Sequence, residues 1–319
     1  MRQHDFEDFD LFDDQPARHR KSPRRARSDE PEPTRSGRLT EAERVRLAKL
    51  RDDAYTENQL PDGADRWSTW DDAEHGPLPR PDWVVTELAA VDTDLGVLKT
   101  GKEADVHLLR RGLPGTPGVL LAAKRYRSDE HKLFHRDAGY LEGRRMRRSR
   151  EMRAMTQRSA FGRNLIAEQW AVAEFAALSR LWTLGAPVPY PVQREGTELL
   201  LEFLGEEDGT AAPRLAQVRP DAGELTDLWF QATAALELLA SQGLAHGDLS
   251  AYNLLVHRGR LMVIDLPQVV DVVANPAGVE FLARDVRNLA GWFHGRGLGE
   301  HVTNTGELLA ELVSAAGLG

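Results

Sequence analysis

Residues 244–268 read LAHGDLSAYNLLVHRGRLMVIDLPQ, and their interpretation decides the fold. The stretch sets a carboxylate in HGDL (Asp248), an amide in AYNLL (Asn253) and a second carboxylate after the apolar run LMVI (Asp265). The turn-like His257-Arg258-Gly259-Arg260 separates two short apolar runs, so a hairpin is expected to return Asp265 beside Asn253. Each residue alone is ordinary loop chemistry, since Asp and Asn favour turns by bonding their own backbone. As a set they offer oxygen ligands for a hard cation on nucleotide phosphates and a carboxylate for an attacking hydroxyl, the two needs of phosphoryl transfer.

The step of five from Asp248 to Asn253 matches the Asp-Leu, three residues, Asn spacing of kinase catalytic loops. Upstream, VLLAAK (Val119 to Lys124) predicts a strand ending in a lysine. Its stem can lie over a core while the ammonium reaches phosphates, or it can simply reach solvent from the strand end. Asn164 to Leu184 carries a strong helical pattern holding Glu174, the expected partner that would fix Lys124 on the α- and β-phosphates. GVLKTGKEADVHLL (Gly96 to Leu109) suggests strand, tight turn, strand. Thr100, Gly101, Lys102, Glu103 and Ala104 form the turn; Gly101 permits the close bend, and Lys102 with nearby amides could face a phosphate. An ordinary hairpin explains this loop equally well, since it is neither a Walker motif nor a three-glycine loop. Glu198 to Phe203 reads as a strand, after which Glu202, Phe203 and Leu204 could offer backbone groups to adenine where the chain passes between lobes. His246 is read as orienting its loop. Arg284 and Asp285, on a helix from Ala277 to Phe293, are read as tying that loop from below.

Composition narrows the alternatives. The chain has 319 residues, 41% of them hydrophobic, enough for one large core or two lobes. It has no cysteine, which removes disulfides and thiolate metal sites. The second half lacks a further histidine at metal-ligand spacing, which disfavours zinc chemistry. No apolar run approaches membrane-spanning length and the N-terminus is charged, so a soluble cytoplasmic protein is expected. A formal charge of −9 argues against non-specific polyanion binding by the whole surface.

The expected organisation is α+β and bilobal: residues 1–80 a flexible extension, 81–203 an antiparallel β-rich N-lobe with one long helix, 204–319 a compact, mainly helical C-lobe. In the extension, acidic Asp5 to Asp14 precedes a basic run from Arg18 to Arg27, while Thr40 and Glu43 resemble a capping box opening a short helix. Trp67 and Trp70 are candidate anchors onto the domain. Within the N-lobe, residues 127–163 form an arginine-rich insert, read as solvated or as a docking element for phosphate, RNA or an acidic protein.

Taken in order, TGKEADVHL from Thr100, AAKRYR from Ala122, KLFHRDAGYLEGRR from Lys132, WAVAEFAALSRLW from Trp170, PVPYPV from Pro187, APRL from Ala212, HGDLSAYNLL from His246 and IDLPQ from Ile264 resemble the RIO family of atypical serine/threonine protein kinases, its type-one branch more than its type-two. The resemblance covers about residues 96–293. It implies a bilobal protein-kinase-like fold, with Lys124 the phosphate-contacting lysine, Glu174 its helix partner, Asp248 the catalytic aspartate, and Asn253 and Asp265 the metal ligands. It further implies ATP and magnesium, with manganese able to substitute, and a protein serine, the chain itself or water as acceptor. Asp265 becomes a candidate phosphoenzyme site, and a nucleotide-switch role in ribosomal-subunit maturation is implied as well. Lys99 stands where the type-one branch usually has serine, and Leu266-Pro267 departs from its usual Val-Ser. A small-molecule hydroxyl kinase is the alternative enzyme. An ATP-responsive ribonucleoprotein assembly factor, docking through the basic insert, is the alternative of another class.

Overall fold

The computed structural model describes residues 42, 45, 60–127 and 160–319, all within one compact unit that spans residues 41–319. Ala42 and Val45 are helical and exposed, in the stretch where the capping box was read. The acidic and basic blocks of the extension, and residues 128–159 of the arginine-rich insert, lie outside the described residues.

Among the described residues, seven strands form an antiparallel sheet in the order β1-β3-β4-β5-β7-β6-β2. They are β1 (Arg66–Trp67), β2 (Glu74–His75), β3 (Val91–Thr100), β4 (Ala104–Gly112), β5 (Val119–Tyr126), β6 (Pro191–Glu195) and β7 (Glu198–Glu202). The central strands fall where alternation and turn residues placed them. The expected boundary at residue 81 does not hold: β1 and β2, both inside the supposed extension, supply the two outer strands of the sheet. Strands of two residues carry no readable period, so the sequence offered only the anchoring tryptophans. Trp70 is buried, stacks on His75 at 3.9 Å between centroids, and has the Arg80 guanidinium 4.7 Å from its ring. It packs with Val84, Leu109, Leu121, Tyr190 and Leu200 as a small core of its own.

A buried polar network ties this strap to the sheet. The Arg111 guanidinium is fully buried and donates to both oxygens of Asp92 at 2.7 and 2.9 Å, and to Gln193 Oε1. Gln193 Nε2 donates in turn to Thr69 Oγ1 at 2.7 Å, and Arg66 Nε reaches Asp92 at 3.0 Å. The planar fork of arginine matches a carboxylate, so each polar group taken from water is replaced by a directional partner.

Helix α1 (Ala160–Thr183) follows, and its Ala171, Phe175, Leu178 and Leu181 enter the main core. That core continues through Leu199 and Leu201 of β7 into the second lobe, built on α2 (Ala222–Ser241), α3 (Gly278–Gly295) and α4 (Thr305–Ala315). Asp221 caps α2, accepting from the amides of Gly223 and Glu224 at 2.8 and 2.9 Å, while Glu224 accepts from the Asp221 amide. Trp229 meets Phe293 edge-on at 5.2 Å, joining α2 to α3. Between α2 and α3 lie the two-residue strand β8 (Leu244–Ala245), the hairpin β9 (Leu254–His257) and β10 (Arg260–Val263), and β11 (Val270–Asp271), which pairs with β8. The architecture is bilobal and α+β, a sheet-rich lobe with one long helix above a mainly helical lobe. No described helix is long and apolar enough to cross a membrane.

Removing Arg111 takes away two of the three guanidinium bonds to buried Asp92, leaving it Arg66 alone, and deprives Gln193 Oε1 of its donor. Arg111→Met should lower unfolding free energy by about 3–5 kcal/mol in urea denaturation, against little change for an exposed control such as Glu206→Ala.

Candidate active site

The hairpin returns the chain as its sequence suggested. Arg258 and Gly259 both have positive φ (52° and 75°), the turn geometry that suits the twist of two-residue hairpins. β9 then pairs with β10 from His257–Arg260 to Leu254–Val263, and the Ile264 amide donates to the Asn253 carbonyl at 3.0 Å. Asp265, the next residue, is thereby set beside Asn253. It holds φ 68°, a strained conformation for a residue with a side chain.

Above it, Lys124 near the end of β5 donates from one Nζ to Glu174 Oε1 and to Asp265 Oδ1, both at 2.7 Å. Glu174, on α1, is 1% exposed and accepts two further bonds: the Leu266 amide to Oε1 at 3.1 Å, and the Tyr126 hydroxyl to Oε2. Three elements therefore meet on one carboxylate. Burial alone would lower the Lys124 pKa, but Glu174 and Asp265 outweigh it and hold the ammonium above its ordinary value. The Lys124 charge in turn holds the Asp265 carboxyl down at about 2, against burial. The Asp265 side chain remains 41% exposed, so it is presented to the cleft while its charge is fixed.

The loop that carries Asp248 is clamped from below by α3. Asp285, fully buried, accepts from the Gly247 amide (Oδ2) and the Leu249 amide (Oδ1), each at 2.9 Å. Burial pushes its carboxyl upward, against the pull of His246, the two amides and Arg284. Arg284 Nη2 donates to the Gly247 carbonyl at 2.8 Å, and Asn288 Nδ2 to the Leu249 carbonyl at 3.1 Å. Asp248 is thus bracketed by residues whose backbones are held on both sides. His246 joins the loop to the strand before Asp265: its Nδ1 accepts from the Asp248 amide at 3.4 Å, and its Nε2 lies 3.1 Å from the Ile264 carbonyl. Those two contacts make His246 a structural strut between the loop and the strand. Asn253 Nδ2 donates to the Asp248 carbonyl at 3.0 Å, which orients the amide and does not use its oxygen.

These groups line one cavity of about 840 Å³ between the lobes. Of the residues singled out in the sequence, Gly101, Lys102, Glu103, Ala104, Lys124, Glu174, Glu202, Leu204, Asp248, Asn253 and Asp265 all line it. Thr100 does not: it is exposed, pairs with Asp105 across the β3–β4 turn and lies outside the cavity lining. Gly101 is needed for proximity, since its amide donates to the Ala104 carbonyl at 2.9 Å and a Cβ there would come within 2.8 Å of that oxygen. At the hinge, the Glu202 amide donates to the Tyr190 carbonyl and the Leu204 carbonyl accepts from Ala212, each at 2.8 Å. The Glu202 carboxylate is turned back to the Tyr190 amide at 3.0 Å.

Several functional neighbours carried no role in the sequence reading. Tyr126 was legible in principle, because it stands two residues from Lys124 on one strand and so shares its face. Lys99 and Arg214 also line the cavity. Partial desolvation at the cleft wall lowers the Lys99 pKa although the residue is exposed, and Arg214 lowers it further, while burial lowers that of Arg214 against the pull of Asp265. Nothing local in the sequence brings those two together.

A lysine–glutamate pair spanning strand and helix, a loop aspartate with an asparagine five residues on, and a strained aspartate returned beside them by a hairpin define a protein-kinase-like phosphotransferase site. Comparison with known proteins specifies the class. The RIO1 family model, a RIO domain, matches residues 122–305. The RIO-type serine/threonine-protein kinase Rio1 of Haloferax volcanii is 33% identical over 262 residues, covering 81% of this chain and 82% of its own length. The serine/threonine-protein kinase rio1 of Schizosaccharomyces pombe is 31% identical over 199 residues, 62% of this chain but only 37% of that protein. Among solved structures, that of the Rio2 kinase from Chaetomium thermophilum aligns over 71% of this chain and 69% of its own, at 21% identity and a TM-score of 0.47. The chain belongs to the RIO family, on its Rio1 side, and with it to the atypical serine/threonine kinases and ATPases.

Because the folded-state pKa of Asp265 is depressed, its ion pair contributes stability above the unfolded carboxylate value of about 4. That contribution is lost as pH falls through about 2. Lys124→Met removes the largest cause, so the Asp265 carboxyl, followed by ¹³C NMR, should titrate at clearly higher pH than in the wild type, moving toward or beyond the ordinary value.

Proposed function

We propose that this chain binds ATP with magnesium in the cleft and transfers the γ-phosphoryl group to a protein serine, its own included, or to water. The observation that carries this reading is Lys124 bonded at once to Glu174 and Asp265, in the wall of a cavity that Asp248 and Asn253 also line. The donor set suits magnesium: Asn253 contributes an amide oxygen and Asp265 a carboxylate, hard oxygens of the kind that hold this ion together with nucleotide phosphates. Manganese satisfies the same oxygens. Bound there, the ion neutralises charge on the phosphate oxygens.

The remaining work belongs to the protein. Glu174 keeps Lys124 charged and aimed, so that the ammonium holds the α- and β-phosphates. Leu204 offers its amide to the base at the hinge, and the bend at Gly101 brings the amides of Lys102, Glu103 and Ala104 over the phosphates. Asp248 takes the proton of the serine hydroxyl, or orients a water, as the new O–P bond forms and the bond to the leaving ADP oxygen breaks. Positioning and charge stabilisation account for the rate, since the phosphoryl group needs little covalent help. Asp265 is also the natural covalent acceptor: attack by its carboxylate oxygen would release ADP and leave an acyl phosphate, which water then hydrolyses to phosphate and the free carboxylate. The arginine-rich insert falls largely outside the described residues and takes no part in this reading.

In purified protein with magnesium, phosphate transfer from labelled ATP and ATP hydrolysis should fall by roughly 10² or more in Asp248→Ala, the scale of a lost acid–base group. Both should be abolished in Asp265→Ala and by EDTA. Under single turnover, a hydroxylamine-labile phosphate should form in wild type and be missing in Asp265→Ala. Turnover equal in all three proteins would refute the assignment.

A further inference from the structure

We propose that Lys99 and Arg214 form a clamp across the cleft for the terminal phosphate of the bound triphosphate, and so make the site prefer ATP to ADP. The proposal rests on the nucleotide reading above and adds to it the residues that recognise the γ-phosphate. Lys99 lies near the end of β3, in the upper lobe, and Arg214 lies beyond the hinge, in the lower one; both line the same cavity as Asp248, Asn253 and Asp265.

The two cations are prepared differently. Lys99 is exposed, and among the described residues no carboxylate forms an ion pair with its ammonium. Arg214 is half-buried and fixed: its backbone bridges Leu255 of β9, its amide donates to Gln217 Oε1 at 2.9 Å, and its Nη1 donates to the Tyr252 carbonyl. Tyr252 immediately precedes Asn253, so the guanidinium is anchored beside the cation ligand. The other donors of its fork are not spent in that bond, and a planar fork is suited to a phosphate.

Electrostatics supplies the rest. Lys99 is disfavoured by the charges of Arg214 and Lys124, while Asp265 attracts both Lys99 and Arg214. Two like charges facing one another across an open cleft resist its closing; a doubly charged phosphate between them reverses the sign and draws the lobes together. Lys124 is buried deep in the cleft against Glu174 and serves the inner phosphates, whereas the exposed Lys99 and Arg214, anchored on the Tyr252 carbonyl next to Asn253, flank the end where transfer occurs. The clamp therefore reads the one phosphate that distinguishes ATP from ADP.

The test is the affinity of ATP, ADP and AMP with magnesium, measured by calorimetry on wild type, Lys99→Ala, Arg214→Ala and the double variant. Each single change should weaken ATP by roughly tenfold, the scale of one charge-assisted contact, and leave ADP within about twofold. The double variant should lose less than the product of the two, because both act on one phosphate. Lys99→Ala carries the test alone if Arg214→Ala lowers the melting temperature. Equal losses for ATP and ADP, or no loss for ATP, would overturn the clamp while leaving the functional reading in place. A wild-type protein that binds none of the nucleotides would overturn both.

Discussion

The site is built around a single buried carboxylate. Glu174 is removed from water, and a charge in that position is tolerable only if its lone pairs are filled. It fills them from three directions: the ammonium of Lys124 on β5, the hydroxyl of Tyr126 on the same face of that strand, and the amide of Leu266 just past Asp265. One residue of the long helix thus fixes the sheet above and the Asp265 segment below. Loss of the Tyr126 hydroxyl would leave Oε2 unpaired in the core, and loss of the Lys124 ammonium would leave the buried charge without its cation.

The lower lobe answers with a second buried carboxylate. Asp285 takes the amides on either side of Asp248, and Arg284 and Asn288 take the neighbouring carbonyls. The catalytic loop has almost no secondary structure of its own, so its backbone polar groups must find partners elsewhere. Three residues within one turn and a half of α3 provide them. Rigidity at Asp248 is thereby borrowed from a helix, while its side chain remains in the cleft.

Much of this was legible beforehand, for reasons that differ by residue. The convergence of Asp248, Asn253 and Asp265 could be read because it depends on short spacings and one hairpin turn, all local features. Lys124 and Glu174 could be paired because a strand-end lysine and a helix of clear period leave few other ways to bury both. Tyr126 was missed although its position two residues from Lys124 was enough to place it. Arg214 and Lys99 could not have been joined without the fold, since more than a hundred residues separate them and only the tertiary structure brings both to the wall of one cavity. Thr100 was assigned to the cleft by its place in the loop, but its pairing with Asp105 turns it away. The boundary near residue 81 was set by composition: proline, glycine and acidic residues from 61 to 81 look like linker, while the hydrogen bonds that make them part of the sheet involve only two residues at each edge.

That strap bears on how small a working enzyme can be made. A version begun at residue 81 would retain every side chain of the cleft, yet it would lose Trp70 from the outer core, leave Gln193 without Thr69, and bare the open backbone of β3 and β6. Unprotected sheet margins invite pairing with another copy. Shortening at that point would give a protein whose cleft residues are intact and whose sheet margins are open to self-association, so the complete sheet begins at or before Arg66.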